Sequence, residues 1–141
     1  TSFAERIAHL ETRLHQACER AGRNPAEVEL LPVSKHQSLE HLHAAWQLGY
    51  RRFGENYVQE GVAKALAMPE TTFVLIGPLQ RNKTRPALTH FAEILTVDRL
   101  PLAQRLIAQT QELNLTRPVW IQVDLWHEAT KDGGCSEDEL P

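Results

Sequence analysis

The sequence predicts an α/β fold built on parallel strands, and two features of its pattern indicate this. Short apolar runs recur near residues 31, 52, 75, 96 and 122, at a spacing of about 21–26 residues, with helical patterns between most of them. Strand–helix alternation at this spacing is typical of βα units. The runs are also nearly continuous, as expected for strands covered on both faces. An open doubly wound sheet and a closed eight-stranded barrel both fit this pattern.

A helix is predicted before the first strand. From Ser2 to Ala21 apolar residues recur at steps of three and four, and Gly22 follows as a natural helix terminator. The segment "NPAE" then combines an N-cap asparagine, a proline at the first helical position and a glutamate at the third. It predicts a single helical turn, which leads directly into the first strand, "VELLPVS".

Four further strands are predicted, each followed by a helical pattern. Their sequences are "YRRFG", "TFVLIG", "EILTVD" and "PVWIQVDL". The helix after the first strand is predicted to begin after Ser38 and to end at Gly49. The helices after the other four strands are predicted to begin at Val58, to lie within "NKTRPALTHF", to begin at Leu102 and to begin near Ser136. Absence of a G-x-G-x-x-G motif after the first strand argues against a dinucleotide-binding sheet. The chain is therefore expected to contain about five βα units.

Composition disfavours several classes of protein. The 141 residues carry a formal net charge of −3, so no global positive field draws the chain to nucleic acid or to a membrane. Cys18 and Cys135 form no C-x-x-C pair, which fits a reducing compartment. Neither a signal-peptide pattern nor a bilayer-length apolar run is found, and the expected location is the cytoplasm. The histidine spacing predicts no metal site.

The polar residues that follow the predicted strands are the candidates for chemistry, since functional groups of parallel α/β folds gather at the carboxyl ends of the strands. They are Ser34, Lys35, Gly54, Glu55, Asn56, Gly77, Pro78, Asp98 and Asp124. A lysine in this place either solvates the end of its strand or acts as a nucleophilic amine. Asn56 and Asp98 have a structural alternative, because each could instead cap the helix that follows it.

A second cluster of charge lies in "QRNKTR", where Arg81, Lys83 and Arg85 are close in sequence. Such a run is usually a solvated helix face. It leaves open a phosphate- or RNA-binding α/β module as an alternative function.

Five motifs together resemble the pyridoxal-phosphate homeostasis protein family, which is also called alanine racemase N-terminal-like. They are "LLPVSK", "RRFGENYVQE", "IGPLQRNK", "TVDRL" and "HEATKDGG", and the match runs from about Leu14 to Pro141. The resemblance implies a (β/α)8 barrel of the TIM type, in which Lys35 holds pyridoxal 5′-phosphate (PLP) as an aldimine. It also implies that Asn56 lies near the cofactor ring. Because an imine forms only from the free amine, which partial burial favours, we expect Lys35 to be partly buried.

The resemblance implies a protein of vitamin B6 homeostasis that binds and delivers PLP without catalysis of its own. PLP-dependent apoenzymes are the expected recipients, and neither nucleic acid nor membrane is an expected partner. Residues 1–141 are then a single domain, namely the N-terminal portion of the barrel preceded by a helix. The enzymatic alternative is a racemase- or decarboxylase-like protein using Lys35 as a base. It would need a second acid/base, for which Tyr50 and Tyr57 offer no evident match.

Overall fold

The computed structural model describes residues 1–130 and 132–141. The described chain divides into two compact units, residues 1–31 and residues 32–141. None of the helices among the described residues is long and apolar enough to cross a membrane.

The first unit contains helix α1 (Phe3–Arg20) and a 3-10 turn at Pro25–Glu27. Ser2 begins α1 with a capping box, and Gly22 adopts a φ of +64° after its end. Asn24 caps the short turn by accepting a hydrogen bond from a backbone N–H. The predicted helix, its terminator and the "NPAE" turn are confirmed.

The second unit alternates strands and helices. Its elements are α2 (Leu39–Gln47), β1 (Arg52–Glu55), α3 (Val58–Ala67), β2 (Thr72–Leu75), α4 (Thr84–His90), β3 (Glu93–Val97), α5 (Leu100–Leu113) and β4 (Val119–Ile121). Short 3-10 turns occur at Arg81–Lys83 and Glu137–Glu139. Ser38 caps α2 as predicted, through a hydrogen bond from the N–H of His41.

The sheet of this unit is parallel, with its strands in the order β1-β2-β3-β4. Neighbours in the sheet are therefore neighbours in sequence. A doubly wound sheet reverses its strand order at a switch point, whereas a (β/α)8 barrel adds each strand beside the previous one. The barrel-type α/β fold is confirmed as a partial one, with four strands among the residues that the structure describes.

Four of the about five expected units contribute a strand to this sheet among the described residues, whereas the first predicted strand, "VELLPVS", makes only a single parallel bridge between Val33 and Gly54. Gly54 N donates to Pro32 O at 2.8 Å, and Ser34 N donates to Gly54 O at 2.9 Å. The next donor needed to extend this ladder toward the N-terminus would be the nitrogen of Pro32. Proline has no N–H, so the pairing ends there.

The helix expected near Ser136 is also shorter than predicted. Ser136 and Glu139 form a capping box, but only the 3-10 turn Glu137–Glu139 follows. Leu140 is extended and precedes Pro141. A residue before proline is disfavoured in the helical conformation, which is sufficient to end the turn.

An apolar core joins the sheet to the helices of the second unit. Its largest fully buried side chains include Phe53, Phe73, Phe91, Leu42, Met68, Leu75 and Ile94. Burying a side chain of this size stabilises a fold by roughly 1.5–3 kcal/mol. Gly61 brings α3 close to this core, since a Cβ there would lie 2.2 Å from the ring of Phe91. This packing holds the carboxyl ends of the strands, and the polar groups on them, in place.

Candidate functional site

Lys35 lies in a turn immediately after the Val33 bridge and is exposed. The expectation of partial burial is wrong, because residues 32–34 pair with β1 on one side only. Among the residues that the structure describes, the Lys35 side chain has no hydrogen bond or ion pair. Its amine is therefore accessible to a ligand.

Ser34, the residue before Lys35, is held by hydrogen bonds of its backbone N–H, its hydroxyl and its carbonyl oxygen. Ser34 is only 4% exposed. Its backbone N–H donates to Gly54 O at 2.9 Å, and its hydroxyl donates to Glu55 Oε1 at 2.6 Å. Its carbonyl oxygen accepts a hydrogen bond of 2.5 Å from Lys64 Nζ.

A buried ion pair lies beneath this turn. The side chain of Glu55 is 0% exposed and that of Lys64 is 8% exposed, and Lys64 Nζ lies 2.6 Å from Glu55 Oε1. Lys64 Nζ also donates to Glu60 Oε1 at 3.0 Å. Together with Ser34 O, three oxygen acceptors surround an ammonium that has three N–H donors.

Sequence reasoning missed Lys64, although its spacing carries a signal. Val58, Gly61 and Lys64 are three residues apart and form the buried face of α3. A lysine in line with two small or apolar residues on one helical face indicates a buried cation, which needs a carboxylate partner. Glu55 is among the strand-end candidates, but no sequence pattern connects it to Lys64.

Glu60 links this ion pair to the residue after Lys35. Its Oε1 accepts a hydrogen bond of 2.5 Å from the backbone N–H of His36. Although burial alone would raise the pKa of the Glu60 carboxyl, the hydrogen bonds from Lys64 and from the His36 amide, with the charges of both residues, hold that pKa below its ordinary value. The carboxylate form is thus stabilised at neutral pH.

Asn56 follows β1 and does not cap α3. The residue at the N-cap position is Tyr57, which makes no side-chain cap hydrogen bond. The capping alternative for Asn56 is therefore wrong. Its Oδ1 atom is buried and, in the part of the chain that the structure describes, has no hydrogen-bond partner. Because Val33 pairs with Gly54, Lys35 and Asn56 are each the second residue beyond the same bridge.

The loop after β2 packs closely on Asn56. A Cβ at Gly77 would lie 2.1 Å from the backbone oxygen of Asn56, so only glycine allows this approach. The carbonyl oxygen of Gly77 accepts a hydrogen bond of 2.8 Å from the Thr96 hydroxyl of β3. The ends of three strands are joined in this way.

The two remaining strand-end carboxylates bind backbone amides. Asp98 accepts from the N–H of Gly134 at 3.1 Å and pairs with Arg99 at 2.8 Å. Arg99, not Asp98, occupies the N-cap position of α5, so the capping alternative is wrong here too. Asp124 accepts a hydrogen bond of 3.0 Å from the N–H of His127. Both carboxylates organise the loops after β3 and β4.

The basic run "QRNKTR" does not form a uniform positive face. Arg85 pairs with Glu112 of α5 at 2.6 Å. Arg105, on the same helix, donates to Arg81 O at 2.8 Å. These contacts link the run to α5, and of the three basic residues Arg85 is the one whose charge is paired with a carboxylate in the described part of the chain.

The chain is similar to curated proteins named pyridoxal phosphate homeostasis protein. That of Pseudomonas aeruginosa is 41% identical over 143 residues, which cover 100% of this chain and 62% of that protein. That of Escherichia coli is 38% identical over 136 residues, which cover 93% of this chain and 58% of that protein. The chain therefore spans about three fifths of the length of these relatives.

Solved structures of PipY from Synechococcus elongatus are similar in fold and in sequence. The structure without PLP matches with a TM-score of 0.78 and 35% identity, covering 90% of this chain and 60% of that one. The structure with PLP bound matches with a TM-score of 0.71 and 36% identity, covering 84% and 57%. The family model described as "Alanine racemase, N-terminal domain" matches residues 6–141. With nearly the whole sequence matched and the parallel sheet in place, the chain belongs to the alanine racemase N-terminal domain family.

Proposed function

We propose that this chain binds PLP and serves vitamin B6 homeostasis, with Lys35 as the covalent anchor and Asn56 as a contact to the ring. The names of the relatives and the PLP-bound PipY structure support the ligand. The observation that carries the anchor assignment is the contrast between two lysines near the end of β1. Lys35 is accessible, whereas Lys64 is buried and donates to three oxygens.

The residues present fit this ligand. PLP supplies an aldehyde that condenses with a primary amine, forming one C=N bond and releasing one water. Lys35 has an amine that is exposed and, among the described residues, unpaired. The nitrogen of Lys64, with its three protons donated to oxygens, has no lone pair for such a reaction.

Asn56 fits a contact to a polar ligand group. Its Oδ1 is buried and has no partner in the described part of the chain, and an unsatisfied buried acceptor is costly unless something donates to it. A ring hydroxyl is a donor of the required kind. A cytoplasmic location, the absence of turnover and the transfer of the cofactor to PLP-dependent apoenzymes belong to the same proposal, and a turnover assay with amino acids tests the non-catalytic part.

Replacing Lys35 by alanine is expected to remove most of the PLP adduct. The protein is incubated with PLP, reduced with borohydride to make the adduct permanent, and mapped by peptide mass spectrometry. The map is unambiguous because the chain has four lysines: Lys35, Lys64, Lys83 and Lys131. Lys83→Ala is the matched control and should retain the adduct. An adduct that persists at full strength in Lys35→Ala contradicts the assignment.

Replacing Asn56 by alanine is expected to weaken PLP binding about tenfold, the scale of one lost hydrogen bond to a polar ligand group. The melting temperature should change little, because the truncated amide makes no cap and its oxygen has no partner in the described residues. Asn82→Ala, at an exposed amide, is the control. The ring-contact role is refuted if Asn56→Ala lowers stability while the PLP titration is unchanged.

A further inference from the structure

We infer that Glu60 and Lys64 are positioning residues that hold the backbone on both sides of Lys35. The inference rests on the proposed role of Lys35 as the anchor. The accessible side chain of Lys35 would then extend from a backbone segment that is held by a buried ammonium and a half-buried carboxylate.

The upstream side is held by Lys64. Its Nζ lies 2.5 Å from the carbonyl oxygen of Ser34, which belongs to the peptide that joins Ser34 to Lys35. The same ammonium donates a hydrogen bond of 2.6 Å to Glu55 Oε1. This oxygen also accepts a hydrogen bond of 2.6 Å from the Ser34 hydroxyl. Ser34 is thus bound to Lys64 both directly and through Glu55.

The downstream side is held by Glu60. Its Oε1 atom accepts a hydrogen bond of 2.5 Å from the backbone N–H of His36 and a second one of 3.0 Å from Lys64 Nζ. His36 has a φ of +60°, in the left-handed region that non-glycine residues rarely occupy. Such a conformation persists only where its surroundings hold it. His36 contacts the Glu60 carboxylate through its backbone N–H and the Tyr57 ring through its imidazole, with the ring centroids 5.5 Å apart.

Three acceptors satisfy the three N–H donors of the Lys64 ammonium, and one of them is the backbone carbonyl oxygen of Ser34. A buried pair of charges is often no more stabilising than an apolar pair of similar size, because both charges lose their hydration. Glu55 and Lys64 nevertheless lie where each also binds Ser34. The geometry therefore points to a positional function: the Cα of Lys35 is confined between two bound neighbours while its amine remains accessible.

The test compares Glu60→Ala with a matched control, Glu112→Ala. Both substitutions remove a carboxylate in an ion pair on a helix of the second unit, but Glu112 pairs with Arg85, away from this turn. Each variant is incubated with PLP at limiting concentration and reduced with borohydride. The ratio of adduct on Lys35 to adduct on Lys83 is then measured in one sample, so that differences in overall reactivity cancel.

Glu60→Ala is expected to lower this ratio about tenfold, the scale of one lost charge-assisted hydrogen bond. Glu112→Ala should have the same ratio as the protein without substitutions. Glu60→Gln keeps an acceptor, so its ratio should lie between those of Glu60→Ala and Glu112→Ala. Thermal melts accompany each variant. If Glu60→Ala caused a general loss of structure, the melting temperature would fall together with the adduct ratio. If Glu60 acts by positioning, the ratio falls while the protein remains folded.

A second measurement needs no PLP. Amide hydrogen exchange of His36 in the ligand-free protein should be about tenfold faster in Glu60→Ala and unchanged in Glu112→Ala, because the His36 N–H loses its acceptor. If the protein without substitutions shows no preference for Lys35 over Lys83, the assignment of Lys35 as the anchor fails. The exchange rate of the His36 amide in Glu60→Ala then decides by itself whether Glu60 holds the turn. If the preference exists but neither the ratio nor the exchange changes in Glu60→Ala, the inference is overturned and the proposed function stands.

Discussion

Replacing Lys64 by methionine is expected to destabilise the protein by about 3–5 kcal/mol, because the substitution leaves the Glu55 carboxylate buried without a cation. Glu55 is 0% exposed, and its second oxygen has no hydrogen-bond partner among the described residues. The Ser34 hydroxyl would remain as a donor to the first oxygen, which is insufficient for a full charge. Urea denaturation followed by circular dichroism measures the loss.

Two comparisons make this prediction specific. Glu112→Ala breaks an ion pair of the same length, 2.6 Å, whose side chains are 51% and 60% exposed. It should change stability by less than about 1 kcal/mol, since exposed pairs contribute little. The double variant Glu55→Gln with Lys64→Met has no buried charge and should recover most of the loss. If the double variant is as unstable as Lys64→Met alone, the unpaired charge is not the cause.

Replacing Gly77 by alanine is expected to cost about 3 kcal/mol or more, because the new methyl group would lie 2.1 Å from the backbone oxygen of Asn56. A backbone atom cannot rotate away as a side-chain end can, so the loops after β1 and β2 must separate. PLP binding should fall as well, because the displaced residue is the proposed ring contact. Thermal melts and the side-chain amide resonance of Asn56 report the two effects.

Gly49→Ala is the control for Gly77→Ala. Gly49 has a φ of +104°, and a Cβ added there would meet no atom within 4 Å apart from its chain neighbours, so alanine introduces conformational strain without a clash. Its expected cost is about 1–2 kcal/mol. The clash explanation does not hold if Gly77→Ala is no more destabilising than Gly49→Ala, or if the Asn56 resonance is unmoved.

Local signals in the sequence are sufficient for the helices and for most strands. Ser38 caps α2 with its side chain, and Gly22 follows α1 because it has none. The recurring apolar runs identify four parallel strands among the described residues. A strand buried on both faces must be apolar along its length, and β1, β2 and β3 are mostly buried, whereas β4 is apolar but exposed. The first run is apolar too but forms only a bridge, since pairing depends on whether each donor exists, and Pro32 supplies none.

The sequence by itself determined the parallel α/β class and the set of strand-end residues that includes Lys35 and Asn56, and the family resemblance implied the barrel form. The strand order in the sheet then distinguished the barrel type from a doubly wound sheet. Only the tertiary structure decided the surroundings of those residues. Lys35 is exposed because its segment pairs on one side, and the carbonyl before it is bound by Lys64, 30 residues away from Ser34. Apolar periodicity and capping act within a few residues and are visible in sequence. A contact between Ser34 and Lys64 depends on how α3 packs against the sheet, and no local pattern encodes that distance.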